Sequence, residues 1–149
     1  FSEMEDLSMI FKATNLITQE LDKANIRYTV KDDEDSSIVR ISFSVDNGPV
    51  ASVYFISRDD DNDVSIRLFH LIDNIAEEKS EKILAAVNEC NNLYRYTKFT
   101  FDKDAVNVEY DLPAQSSDDC LGAQALEILI RLMKIVDKAY PVLMQAMWS

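Results

Sequence analysis

Residues 39–55 read VRISFSVDNGPVASVYF, and this stretch decides the fold class. Apolar and polar residues alternate on both sides of Asn47-Gly48, which is the period of a half-buried β-strand. Asn-Gly between two such segments is a strong hairpin signal, because both positions tolerate a positive φ. The stretch therefore predicts two antiparallel strands joined by a turn at Asn47-Gly48.

Strand patterns continue on both sides of this hairpin. A short strand at Arg27–Lys31 leads into the acidic turn KDDED, which ends at residue 35. After a second acidic turn, DDDND at 59–63, apolar residues alternate again from Val64 to Ile72. Acid-rich turns of this kind are usually solvated. These segments predict an antiparallel meander of four strands.

Helical patterns surround the meander. Ser2 and Glu5 have the spacing of a capping box and open a predicted helix of roughly twenty residues that stops near Asn25. Ser80 is the predicted cap of a second helix. Its predicted inner face consists of Ile83, Leu84, Val87, Cys90 and Tyr94.

Two further strands are predicted around the turn Asp102-Lys103-Asp104, and Leu112-Pro113 ends them. A last helix opens at Ser117 or Asp118 and should kink or restart at Pro141. The predicted fold is thus α+β, an antiparallel sheet with the order α-β-β-β-β-α-β-β-α. Residues 1–149 are expected to form one domain.

The last helix has more apolar surface than one sheet face needs. Its first apolar seam, which is the predicted partner-binding or dimer face, consists of Leu121, Ala125, Ile128, Leu132, Ile135, Ala139 and Val142. A second seam runs beside it. Cover by the first helix, by a second subunit in a homodimer, or by a ligand would each account for the surplus.

Composition excludes several classes of function. The net charge is −12, from 27 acidic and 15 basic residues, which disfavours nucleic acid and anionic membranes as partners. The segment from Tyr94 to Phe99 interleaves basic and aromatic residues like a single-strand stacking platform, but an aromatic helix-to-strand junction fits the acidic charge better. Only two glycines are present, too few for a glycine-rich phosphate loop.

No catalytic, cofactor-binding or metal-binding residue is predicted. His70 is the only histidine, and strand alternation places it on an apolar face as a core or interface residue. A calcium loop starting at Asp59 would need glycine and glutamate where Val64 and His70 stand. The two separated cysteines predict a reduced, cytoplasmic protein, and the acidic first ten residues do not resemble a signal peptide. Arg131 and Lys134 interrupt the most apolar stretch, so no membrane span is expected. We therefore expect a protein that is not an enzyme.

Short motifs in the second half of the chain resemble the YbjN family, small bacterial proteins often labelled sensory transduction regulators. The similar features are the asparagine-bearing helix end, the Lys98-Phe99 strand start, a YDLP strand exit and a D-x-x-Y-P helix ending, formed here by Asn88, Asn91 and Asn92, by Tyr110 to Pro113, and by Asp137, Tyr140 and Pro141. Through this family the fold resembles type III secretion chaperones. That resemblance implies a dimeric α+β protein with the long helix near the dimer interface.

Two functions are compatible with these patterns. The first is a chaperone-like adaptor or regulator that binds a polypeptide through a sheet edge or an apolar helix face. The alternative is a sensor that holds a small apolar ligand between helix and sheet, near Phe43, Phe55, Phe99, Phe101 and Met133. Ligand-dependent melting would distinguish the two.

Overall fold

A computed structural model describes residues 11–58, 63–113 and 120–149. These residues form one sheet with helices in the predicted order. The helices are α1 (Lys12–Lys23), α2 (Ser80–Leu93) and α3 (Leu121–Trp148), with a 3-10 turn at Glu77–Lys79 before α2. The strands are β1 (Thr29–Asp32), β2 (Ser36–Ser44), β3 (Val50–Arg58), β4 (Asp63–Ile72), β5 (Lys98–Asp102) and β6 (Ala105–Pro113).

The sheet has six antiparallel strands in the order β1-β2-β3-β4-β6-β5. The meander of the first four strands is confirmed, and so is the α+β class. The last two strands form a hairpin whose second strand, β6, pairs with β4. As a result β1 and β5 are the two edge strands.

One face of the sheet is buried against the helices, because side chains alternate between the two faces of each strand. Val39, Val53, Ile66 and Val108 are fully buried on four neighbouring strands. They join one cluster with the inner sides of the helices, including Ile17 of α1, Ile83 and Cys90 of α2, and Leu132 of α3. The opposite face, which we call the open face, carries the alternate residues of these strands.

The α1 helix ends as predicted. The amide of Asn25 donates to the Asp22 carbonyl at 3.1 Å, and the amide of Ile26 donates to the Leu21 carbonyl at 2.9 Å. Asn25 has a φ of 58°, so these bonds form a Schellman cap with asparagine in the left-handed position. This cap turns the chain from α1 into β1.

Two local predictions about the helices are wrong, and a third is wrong in part. Ser80 is the first residue of α2 and follows the 3-10 turn, so its side chain forms no capping bond. Leu84 is 53% exposed, because α2 turns Ile83, Ala86, Val87 and Cys90 toward the core instead. The α3 helix runs without a break through Pro141 to Trp148, so it does not restart there. The predicted caps at Ser2, Glu5, Ser117 and Asp118, and most of the DDDND turn, lie outside the described residues.

The hairpin between β2 and β3 forms where it was predicted. The Val45 amide donates to the Pro49 carbonyl at 2.9 Å, and Asn47 has a φ of 55°. Gly48 has an ordinary φ and is needed for a different reason. A Cβ at this position would lie 2.9 Å from the ring of Tyr140, so glycine lets the turn approach α3 closely.

Candidate functional site

His70 does not lie on the core face. The pairing of β4 with β6 is irregular between Leu68 and Ile72, and His70 has a φ of 58°. This bulge interrupts the alternation between Leu68 and Ile72, so the imidazole is 59% exposed. Its Nδ1 lies 3.9 Å from Oδ2 of Asp73, a carboxylate that is itself 54% exposed. The predicted position of His70 on the apolar face of the strand is therefore wrong, and no buried carboxylate among the described residues pairs with it.

The predicted partner-binding seam of α3 is mostly inside the chain. Leu121, Ala125, Leu132 and Ala139 have no exposed area, and Ile128 is 7% exposed. Only Ile135 and Val142 keep partial exposure. A Cβ on Gly122 would lie 2.4 Å from the Leu16 carbonyl oxygen, which shows how closely α1 covers the start of α3. Cover within the chain thus accounts for five of the seven seam residues.

The five residues suggested for an apolar ligand do not line one space. Phe55 and Phe99 are core residues with 1% and 2% exposure. Phe43 lies on β2 and Phe101 on β5, which are separated in the sheet by β3, β4 and β6. Four of the pockets among the described residues have volumes of about 500 to 670 Å³, and none of these four is lined by any of the five residues.

The open face carries a continuous row of polar and aromatic side chains. Register places Arg40, Tyr54, Arg67, Glu109 and Lys98 opposite one another on five successive strands. The Arg40 guanidinium lies 5.8 Å from the centre of the Tyr54 ring. Lys98 Nζ lies 2.8 Å from Glu109 Oε1, and this hydrogen bond raises the pKa of Lys98. The row is cationic at the β2 end and charge-paired at the β5 end.

The β5 edge of the sheet is closed by one side chain. Asn91, near the end of α2, donates from Nδ2 to the Phe99 carbonyl at 2.9 Å. The Phe99 amide donates back to Asn91 Oδ1 at 2.7 Å. The side-chain amide therefore satisfies the two outward backbone groups of Phe99 as a neighbouring strand would, and it leaves less of this edge to pair with another chain.

The β1 edge is open. Its four residues are all exposed, and among the described residues β1 pairs only with β2. The Asp33 amide donates to the Ser36 carbonyl at 2.8 Å, which fixes one hydrogen-bonded pair at the turn. Hydrogen-bonded and non-hydrogen-bonded pairs alternate along an antiparallel ladder. The backbone groups of Thr29 and Lys31 therefore also point toward β2, whereas those of Val30 and Asp32 point outward.

A groove of about 510 Å³ lies on the open face beside this edge. It is lined by Arg27, Tyr28, Thr29, Arg40 and Ser42. Arg40 Nε donates to Ser52 Oγ at 3.2 Å. Among the ion pairs of the described residues, none involves either arginine. Two guanidinium groups without carboxylate partners, in a chain of charge −12, form an arrangement that recognises carboxylates well.

The other end of β1 has the opposite charge. Asp33, Glu34 and Asp35 form the turn to β2 and are exposed. Asp32 accepts a hydrogen bond from the Ser37 hydroxyl. The edge strand thus runs from basic Arg27 to the acidic turn that ends at Asp35 within nine residues. Val30 lies between them, with its side chain on the helix side of the sheet and 43% exposed.

A second candidate site lies where β3 and β4 separate. Their pairing covers only residues 54–57 and 64–67, and below it a pocket of about 500 Å³ opens toward α3. Its walls include Tyr54, Phe69, Tyr140, Met144 and Met147, and His70 and Asp73 lie at its rim. Aromatic and methionine side chains beside polar groups are typical of small-molecule sites.

Sequence patterns did not identify the two edges. In the sequence Asn91 is only part of a motif, and nothing in its spacing shows that it forms hydrogen bonds with Phe99. Once the turn is placed at Glu34-Asp35, the register of the hairpin pairs Arg40 with Thr29, two residues from Arg27. The acidic turn was therefore the sequence signal that could have brought the two arginines together. The other motif residues have structural contacts: Asp137 Oδ1 accepts from the Asp46 amide at 2.8 Å, and Asp111 lies 2.8 Å from Arg67.

Within the described part of the chain, no group of three or more His, Cys, Asp or Glu residues could hold a metal ion. The helices described here also lack the combination of length and hydropathy that a membrane crossing requires. The pKa of Cys90 is raised to about 11, because the thiol is buried and Glu89 is nearby. A thiol with a raised pKa is a poor nucleophile at neutral pH.

Comparison with known proteins identifies a family. Searches of curated proteins and of solved structures found no significant match, so the likeness to secretion chaperones stays a prediction. A family model does match residues 14–141, and it is described as "YbjN: Putative bacterial sensory transduction regulator". The matched region runs from α1 into α3 and contains both edges of the sheet. The chain therefore belongs to the YbjN family.

Proposed function

We propose that this chain is a non-enzymatic regulator that acts in the cytoplasm by binding a polypeptide strand at the β1 edge. The observation that carries this proposal is the contrast between the two edges. Asn91 occupies the outward groups of β5, whereas those of Val30 and Asp32 have no partner among the described residues. An exposed edge strand binds extended peptides through backbone hydrogen bonds, and pockets beside it add specificity.

Charge supports the same edge. The chain is strongly acidic, yet the groove beside β1 holds Arg27 and Arg40 without a carboxylate partner among the described residues. An incoming strand would place alternate side chains on the two faces of the sheet. One set would contact Val30 on the helix side, and the other would contact the groove on the open face. The family description, a regulator of sensory transduction, fits such a role.

The test is selection of binders from a random linear peptide library. The chain is immobilised at a density too low for two copies to meet, and the affinity of selected peptides is measured for wild type, Val30→Pro and Val30→Thr. Proline removes the outward amide of residue 30, which the β1–β2 ladder does not use. We expect Val30→Pro to weaken binding at least tenfold and Val30→Thr to change it less than about threefold.

Either of two results would refute the proposal. Selection that yields no peptide above background would show that the edge does not bind strands. Selected peptides that bind Val30→Pro as well as wild type would place the binding elsewhere. Thermal melting of both variants distinguishes a lost contact from a lost fold.

The pocket between β3 and β4 supports the second candidate, a sensor of a small apolar ligand. Its residues differ from the five that the sequence suggested, and Phe69, 51% exposed, is the most accessible of its aromatic side chains. A metabolite or lipid that raises the melting temperature of wild type, and fails to do so with Phe69→Ala, would favour this function. Binding that persists in Phe69→Ala would place the ligand outside this pocket.

A further inference from the structure

Three cations lie around one small side chain on the open face of the β1 edge. Thr29 pairs with Arg40 of β2, and Arg27 and Lys31 are the alternate positions on either side of Thr29. Extending the register by two residues places Arg27 opposite Ser42, and both residues line the groove beside β1. None of the ion pairs among the described residues involves Arg27, Lys31 or Arg40. The edge therefore offers positive charge that no carboxylate of the described residues neutralises.

We propose that the strand bound at β1 is an acidic segment of another protein, which runs antiparallel to β1 and places a carboxylate opposite Thr29. This inference rests on the proposed function, since it takes the β1 edge as the binding element, and it adds the chemistry and the direction of the partner. In the bound segment, the residue before this carboxylate lies opposite Val30. Val30 is 43% exposed on the helix side of the sheet, so an apolar residue opposite it removes apolar area from water.

The position opposite Thr29 suits a carboxylate because cations surround it. On a neighbouring strand, a side chain lies about 5 Å from the one directly opposite and about 7–8 Å from the two diagonal neighbours. Arg27 and Lys31 are these diagonal neighbours, and both side chains are long enough to reach the carboxylate. Because Thr29 is short, the way to Arg40, two strands and about 10 Å away, also stays open. Guanidinium and carboxylate groups form charge-assisted hydrogen bonds, which are stronger than those between neutral groups.

Arg40 is held in position before a partner binds. Its Nε donates to Ser52 Oγ at 3.2 Å, and its guanidinium lies 5.8 Å from the centre of the Tyr54 ring. These contacts keep the side chain on the β3 side of the groove, so it contributes positive potential and loses little conformational freedom on binding. A single exposed ion pair changes affinity little. The selectivity for an acid therefore arises from three cations acting on one carboxylate, with Arg27 and Lys31 as the direct contacts.

The acidic turn after β1 sets the direction of the partner. Asp33, Glu34 and Asp35 are exposed at this end of the edge, and like charges directly opposite one another destabilise a strand pair. The acids of the partner therefore extend toward Arg27 and away from the turn. Antiparallel pairing is the more stable arrangement per residue, and in this arrangement the partner runs from the turn toward Arg27. Its acids then follow the apolar residue at the first and third positions, opposite Thr29 and Arg27.

The first test reads the sequences of the peptides that the library selection yields. We expect Asp or Glu at the first and third positions after an apolar residue. The net charge of −12 by itself favours basic peptides, so this outcome distinguishes local recognition from general attraction. Selection of peptides rich in lysine and arginine would overturn the inference. Acids that precede the apolar residue would overturn the antiparallel arrangement.

The second test is a double-mutant cycle between the edge and one selected peptide. Replacing both acids of the peptide by their amides should weaken binding to wild type about tenfold, and Arg27→Gln should weaken binding of the acidic peptide about fivefold. The amide peptide should bind wild type and Arg27→Gln equally. Lys134→Gln, on the exposed side of α3, is the control for the same change in net charge. An equal loss from Arg27→Gln with both peptides would show that Arg27 contacts no acid and would overturn the inference.

The Val30→Pro variant separates this inference from the proposed function. Acidic peptides that lose binding in both Val30→Pro and Arg27→Gln would support both. Peptides that lose binding in Val30→Pro, yet bind wild type equally as acids and as amides, would refute the acidic partner and leave the proposed function standing. Acidic peptides that depend on Arg27 but bind Val30→Pro as well as wild type would refute strand pairing, and the proposed function with it.

Discussion

The sheet ends at β5 against the side chain of Asn91 and at β1 against solvent. At β5, two hydrogen bonds of 2.9 and 2.7 Å satisfy the outward backbone groups of Phe99. At β1, the corresponding groups of Val30 and Asp32 have no partner among the described residues. The comparison shows that whether a sheet edge is open depends on local contacts, since a single side-chain amide at a helix end is enough to close the β5 edge.

The largest effect is expected where α1, which leads into β1, is held against α3. A Cβ on Gly122 would lie 2.4 Å from the Leu16 carbonyl oxygen and 2.8 Å from Glu20 Cγ. Backbone cannot move aside easily, so Gly122→Ala should lower the free energy of unfolding by about 3 kcal/mol despite the better helix propensity of alanine. Urea unfolding measures this, with Gln124→Ala as the exposed control on the same helix.

This substitution also tests the support of the open edge. If α1 positions β1, then peptide binding at β1 should fall together with stability in Gly122→Ala. A variant as stable as wild type would contradict the tight contact between α1 and α3.

A smaller effect is expected from opening the closed edge. Asn91→Ala leaves the Phe99 amide and carbonyl without their partners and should cost about 2 kcal/mol of unfolding free energy. It also makes the two edges alike, so hydrogen exchange of the Phe99 amide should accelerate toward that of Val30. Asn92→Ala, at the exposed neighbouring position, is the matched control. Equal stability of the two variants would show that Asn91 does not close the edge.

The smallest effect concerns pH and the helix that carries Asn91. Burial raises the pKa of Cys90 from 9.0 to about 11, so in this range the folded chain holds a proton that the unfolded chain releases. Stability therefore falls as the pH rises from about 9 to about 11. The difference in unfolding free energy between wild type and Cys90→Ala should narrow over this range. A difference independent of pH would contradict a thiol that stays protonated in the fold.

The order of helices and strands could be predicted because each pattern is local. Alternation identified the strands, and helical spacing identified the buried faces of the helices. His70 was misplaced because a single bulge between Leu68 and Ile72 interrupts the alternation, and no residue type marks it. Leu84 was misplaced because it is adjacent to another apolar residue, Ile83. The spacing does not show which of the two the helix turns toward the core.

The candidate site was less predictable because it depends on the position of strands in the sheet. Whether β5 or β6 lies next to β4 decides which one is an edge, and both have similar apolar patterns. The roles of Asn91, Arg27 and Arg40 follow only from that arrangement. The surplus of apolar surface on α3 was recognised, but its intramolecular cover depends on the approach of α1 at Gly122, which spacing alone does not reveal.

The position of β6 between β4 and β5 has a consequence for how the chain folds. The first four strands contact their neighbours in sequence, so the meander can form through short loops. Pairing of β6 with β4 must wait for the closure of a loop that contains α2 and β5, which costs more chain entropy. We therefore expect the closure of this loop to limit the folding rate, so substitutions that weaken the β4–β6 pair should slow folding.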